Sequence, residues 1–153
     1  MAIPPEAVGR KLPAVTATVE RGRLAFFAQA IGETDPVYSD LDAARAAGHP
    51  DLPVPPTFVF GLRLAGDDPF GWIADLGIDM RYVLHGTQRF DYHSVAHAGD
   101  VLTLSPEITD AYDKRGGALE FVVTNTAVTR ADGSAVANLV ETLVVRHPEL
   151  EAK

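Results

Sequence analysis

The 153-residue chain reads as an α+β domain in which a curved antiparallel sheet wraps around one central helix. Three observations carry that reading. Prolines at 50, 53, 55 and 56 impose an extended approach to a segment, Thr57 to about Leu64, that is apolar on more than one face. Such a helix is enclosed rather than laid on a surface. From Gly86 onward the chain is a series of β segments separated by turn residues, and the last two carry apolar side chains on both faces. Strands do this when one face covers a helix and the other meets further protein.

The elements follow in order. Ala14 to Val19, rich in β-branched residues, predicts a short strand. Leu24, Phe27, Ala28 and Ile31 fall on one helical stripe, ended by Gly32 and broken by Asp35-Pro36. Leu41 to Ala47 is a second short helix closed by Gly48. Pro56 suits the first position of the enclosed helix, where a missing N–H costs nothing. Phe58, Val59, Phe60 and Leu62 make that helix apolar. Gly86 to His93 alternates, with Gln88, Phe90 and Tyr92 opposite Arg89, Asp91 and His93. Val101 to Tyr112 is a long strand in which Pro106 predicts a bulge or an edge. Gly116-Gly117 turns the chain into Leu119 to Thr129, and Asp132-Gly133 signals a hairpin into Ala135 to Arg146.

One enclosed helix, small elements before it and long antiparallel strands after it describe a hot-dog fold. No repeat or linker divides the chain, so residues 1–153 are expected to form a single domain. A lone sheet of this kind leaves an exposed edge and an apolar flank, which makes a dimer the expected minimal unit.

Composition narrows the function. Apolar residues make up 46% and charged residues 22%, the balance of an ordinary globular protein. No apolar run approaches the roughly 18 residues needed to cross a bilayer, and no hydrophobic signal core opens the chain, so the expected location is cytoplasmic, away from membranes. The absence of cysteine excludes disulfides and thiolate chemistry. A net charge of −8 argues against nucleic acid, which needs a basic face. An anionic ligand such as coenzyme A needs only a few cations, and Arg10, Lys11, Arg21, Arg23, Arg63, Arg81 and Arg89 are available.

Several segments resemble a known family. Ala25 to Tyr38, with Gly32-Glu33-Thr34-Asp35-Pro36-Val37-Tyr38, is similar to the hydratase motif Gly-Asp-x-Asn-Pro-(Leu/Ile/Val)-His of MaoC-like proteins. Pro53-Val54-Pro55-Pro56-Thr57-Phe58, His85 to His93 and Ala98-Gly99-Asp100-Val101-Leu102 resemble the N-terminal, fatty-acid-synthase-type dehydratase branch of the MaoC-like dehydratases. The likeness runs from about Arg10 to His147. It implies a hot-dog fold and addition of water to an enoyl thioester, or its removal from an (R)-3-hydroxyacyl thioester. In the family an Asp and a His of the motif handle the water. Backbone N–H groups at the start of the hot-dog helix polarise the thioester carbonyl. The implied ligand is an acyl-CoA or acyl-ACP thioester. The implied assembly is a homodimer, or a heterodimer with a second hot-dog subunit.

This sequence departs from the motif where the chemistry sits. Glu33 stands at the place of the Asp, Asp35 at the place of the Asn and Tyr38 at the place of the His. Tyrosine, with an ordinary pKa near 10, is a poor base at neutral pH. Pro55 and Pro56 lack the N–H groups an oxyanion site would use. The three motif residues are therefore expected either as catalytic positions or as a cap and turn. His49, Pro56, Thr57, Phe58 and Trp72 are the candidates for substrate contact, with Trp72 as core or pocket lining. His93 and His97, four apart across a strand end, do not make a helical zinc pair, and neither metal nor cofactor is expected. Three functions follow: a substrate-binding hydratase or dehydratase subunit working with a catalytic MaoC-type partner, a silent acyl-CoA-binding homodimer, or a hot-dog enzyme with reassigned residues, hydratase or thioesterase. Fold alone does not choose among them.

Overall fold

A computed structural model of the chain describes residues 3–151. In order the elements are β1 (Val15–Thr18), α1 (Arg21–Ala30), α2 (Leu41–Ala46), α3 (Phe58–Leu62), α4 (Gly71–Asp75), β2 (Val83–Tyr92), β3 (Val101–Lys114), β4 (Leu119–Arg130), β5 (Ala135–Arg146) and α5 (Pro148–Glu151). The strands form one antiparallel sheet in the order β1-β3-β4-β5-β2. It curls over α3, the hot-dog helix, whose Val59 and Leu62 are fully buried.

Strand alternation sets the two faces. On β4 the residues from Glu120 to Val128 with even numbers are buried and those between them half-buried, as a period of two requires. The long hairpins place Leu102, Leu104, Val128, Val136 and Leu139 with Phe58, Val59 and Leu62 of α3 and Leu24 of α1 in one core cluster. A second cluster, with Ile3, Leu12, Trp72, Ile73, Ile108, Val122 and Leu143, fills the other end of the concave face. Between them on the strands lie the buried polar residues Thr124, Thr126 and Glu141. On β5, Glu141 separates Leu139 of the first cluster from Leu143 of the second.

Several expectations shift. The hot-dog helix is α-helical only over Phe58–Leu62 and tightens into a 3-10 turn over Arg63–Ala65. Pro56 lies outside it, because Phe58 N–H bonds back to the Pro55 carbonyl at 3.0 Å and makes Thr57 the N-cap. Pro106 makes neither a bulge nor an edge. It pairs with Thr126, and its carbonyl accepts from Leu12 N–H at 2.9 Å, so its nitrogen faces away from β4 and no β4 bond is lost. The bulge falls after it, between Ile108 and Asp110. β2 begins at Val83, before the expected Gly86, and a bulge between His85 and Thr87 surrounds that glycine. A Cβ on Gly86 would meet Thr142 O and Val144 Cγ2 at 2.9 Å. Ile31 leaves the α1 stripe and is 53% exposed, since the chain turns at Gly32 with φ 73°.

Candidate functional site

The turn after α1 carries the motif positions. Glu33 is exposed, and its Oε1 accepts from the N–H groups of Thr34 at 2.8 Å and Asp35 at 2.9 Å. Asp35 Oδ1 accepts from Val37 N–H at 3.0 Å and caps the 3-10 turn Pro36–Tyr38. Tyr38 is half-buried. Both carboxylates thus spend lone pairs on neighbouring backbone, the local bonding that acidic residues favour at turns. Both side chains lie at the exposed surface of the turn.

The proline-rich strap leads from this turn to α3. Leu52 and Val54 make backbone bonds with Ala98 and Ala96, each at 2.9 Å, so the strap is clamped to the β2–β3 turn. His49 Nδ1 lies 3.0 Å from His97 Nε2 across that clamp. Burial, and then the adjacent His49, hold the His97 imidazole below its ordinary value. Arg21 grips the Asp51 carboxylate with two hydrogen bonds and pulls it down to about 2. The Tyr92 hydroxyl donates to the Pro56 carbonyl, and burial pushes its phenol up to about 12.

At α3 itself, Thr57 is exposed and makes no side-chain cap bond, whereas Phe58 is buried and meets Phe27 edge-on at 5.4 Å. Arg23 lies over the Phe58 ring at 5.8 Å. The structure therefore sets Phe58 against α1, ties Pro56 to Tyr92 of β2, leaves Thr57 exposed, pairs His49 with His97, and keeps Glu33, Asp35 and Tyr38 in their own turn. Trp72 belongs to the second core cluster, apart from Phe58 in the first. Among the described residues no three or more His, Asp or Glu gather as a metal site would require.

Of the cations available for phosphate, most are engaged. Arg10, Arg21, Arg63, Arg81 and Arg89 each bind a carboxylate, those of Asp75, Asp51, Glu141, Asp79 and Asp91. Among the described residues, Arg23 and Lys11 have no such partner. The Arg63–Glu141 pair is buried, and Glu141 Oε1 also faces His85 Nε2 at 3.5 Å. The sequence reasoning missed this cluster. Its signal was a carboxylate at a core-facing position between Leu139 and Leu143.

Comparison with known proteins places this geometry. Residues 6–139 match the family model for the FAS1-like, dehydratase domain region. A UPF0336 protein of Clavibacter michiganensis subsp. michiganensis is 40% identical over 95% of this chain and 97% of its own. One from Streptomyces coelicolor is 44% identical over 71% of this chain and 73% of its own. Among solved structures, the C-terminally truncated HadBC (3R-hydroxyacyl-ACP dehydratase) complex of Mycobacterium tuberculosis superposes with a TM-score of 0.76 at 28% identity, over 90% of this chain and 96% of that one. The ChsH1–ChsH2 complex of the same organism gives 0.74 at 25%, over 93% and 86%. A MaoC-like dehydratase gives 0.81 at 21%, over 94% of this chain and 43% of that one, which shows the fold. No helix among the described residues is long and apolar enough to cross a membrane. The chain belongs to the FAS1-like dehydratase-region family, among its UPF0336 members, and has the hot-dog fold of the MaoC-like dehydratases.

Proposed function

We propose that this chain is the substrate-binding subunit of an (R)-specific enoyl-thioester hydratase or 3-hydroxyacyl-thioester dehydratase, and that a second hot-dog subunit supplies the catalytic Asp and His. The observation that carries the reading is the closed turn at the motif. Glu33 and Asp35 are engaged by backbone N–H groups at 2.8–3.0 Å, and Tyr38 stands where a neutral-pH base is needed. In the resembled motif Asp and His stand at the places of Glu33 and Tyr38, and a tyrosine is a poor base at neutral pH. The sheet order leaves β2 at an outer edge among the described strands, which supports pairing with a neighbouring subunit. The HadBC and ChsH1–ChsH2 complexes are two-component assemblies to which this chain is similar.

The test is hydration of a short trans-2-enoyl-CoA. The chain alone is expected to show no turnover, and turnover is expected when a hot-dog subunit with an intact Asp and His motif is co-purified with it. Robust turnover by the chain alone, abolished by Glu33→Gln, would overturn the reading in favour of a self-sufficient enzyme.

A further inference from the structure

The thirteen glycines of this chain divide by what they are needed for. Eight take left-handed φ values, which only glycine adopts readily. Three more, Gly66, Gly71 and Gly86, would bring a Cβ within 3.2 Å of neighbouring atoms. Gly22 and Gly61 remain. Both are helical, in α1 and α3, neither has a left-handed φ, and a Cβ on either would meet nothing within 4 Å. Glycine in a helix is less favourable than alanine, because it loses more backbone freedom on folding. Among the described residues, neither a left-handed φ nor a close contact calls for glycine at these two places.

They share one location. Gly22 and Gly61 line the same groove between α1 and α3, of about 370 Å³, together with Arg23, Phe26, Phe27 and Phe58. What the missing side chains preserve is open space between aromatic walls, one of which, Phe26, is 71% exposed. Arg23 gives the groove its charge. Its guanidinium lies over Phe58 and has no carboxylate partner among the described residues, unlike Arg10, Arg21, Arg63, Arg81, Arg89 and Arg130. In a chain of net charge −8, an unneutralised cation beside an apolar slot fits a ligand that is slender, largely apolar and anionic at one end.

We infer that Gly22 and Gly61 are specificity-determining residues that hold this groove open for the phosphopantetheine arm of an acyl thioester, with Arg23 on its phosphate. The inference rests on the substrate-binding role proposed above and assigns the seat of the arm within it. The arm is common to coenzyme A and to acyl carrier protein, so its source is decided by experiment.

Titration calorimetry with hexanoyl-CoA and with a hexanoyl-acyl carrier protein, on the full chain with its hot-dog partner, tests it. Gly22→Ala and Gly61→Ala are expected to hold or raise the melting temperature while weakening binding at least tenfold, and Gly61→Leu to abolish it. Arg23→Gln is expected to weaken binding about tenfold at low salt and less at high salt. Tight binding of the CoA ester alone assigns the source as coenzyme A; tight binding of the carrier-protein ester alone assigns the carrier. Variants that bind like the parent overturn the inference and leave the substrate-binding role standing. Variants that bind ligand normally but lose association with the second subunit in sedimentation also overturn it, and give the groove to that subunit. A parent complex that binds neither ester overturns both readings.

Discussion

Arg63, in the last turn of the hot-dog helix, meets Glu141 on β5 as an ion pair whose side chains are only 8% and 5% exposed. Thr124 Oγ1 at 3.5 Å and His85 Nε2 at 3.5 Å complete the surroundings of that carboxylate. Two charges taken out of water cost several kcal/mol each before their attraction offsets it. Such a pair fixes which residues face each other more than it stabilises. Glu141→Ala leaves the guanidinium buried without a counter-charge and is expected to cost about 3–5 kcal/mol in urea unfolding. The double variant Arg63→Met with Glu141→Leu is expected to come back to within about 1 kcal/mol of the parent. Equal losses in both variants would refute this account.

The His49–His97 contact makes the strap sensitive to pH. A hydrogen bond between two imidazoles needs one nitrogen to be an acceptor, so the doubly protonated pair cannot keep it. His97 sits below its ordinary value of 6.5 through burial and His49, with Arg130 acting in the same direction and Asp100 and Asp51 against it. Between the folded and unfolded values the unfolded chain binds more protons. The stability this group contributes is therefore complete above about pH 6.5 and falls as the pH drops below it. Urea midpoints measured from pH 7.5 to 5 are expected to decline, and to decline less steeply in His97→Gln.

Tyr92 ties β2 to the start of the hot-dog helix through the Pro56 carbonyl. Tyr92→Phe removes that one bond and is expected to cost about 1 kcal/mol, with the denaturant slope unchanged. In a spectrophotometric titration of the native protein, the component at about 12 is expected to disappear in the variant. A titration that keeps this component in Tyr92→Phe would assign it to another tyrosine.

Leu62 and Ile31 look alike in sequence, each an apolar residue on a helical stripe, but their exposures are 0% and 53%. Leu62→Ala is expected to cost about 2–5 kcal/mol, the range for a fully enclosed leucine. Ile31→Ala is expected to stay within about 0.5 kcal/mol of the parent. Chemical denaturation of the two variants side by side decides whether the enclosed helix is the centre of the core.

Legibility followed the range of the interactions. The last strand spans Ala135 to Arg146 as the hairpin signal before it indicates, and the Asp132-Gly133 turn has Gly133 at φ 83°. Both depend on neighbours in sequence. The motif turn was also readable, because Glu33 and Asp35 bond to N–H groups one or two residues away. The pairing of His49 with His97 spans 48 residues and that of Arg63 with Glu141 spans 78, and no local pattern carries either.

By itself the sequence determined the strands and the helices up to the enclosed one behind its prolines, though not α4 or α5, and it placed Glu33 and Tyr38 where the resembled motif has Asp and His. These are written in side-chain period, in proline and glycine geometry, and in which functional groups are present at all. Only the tertiary structure decided how far the helix runs, which arginines are already neutralised, and that Gly22 and Gly61 face one groove. Those outcomes depend on residues far apart in the chain meeting in space, and the free energy of a contact belongs to both partners at once.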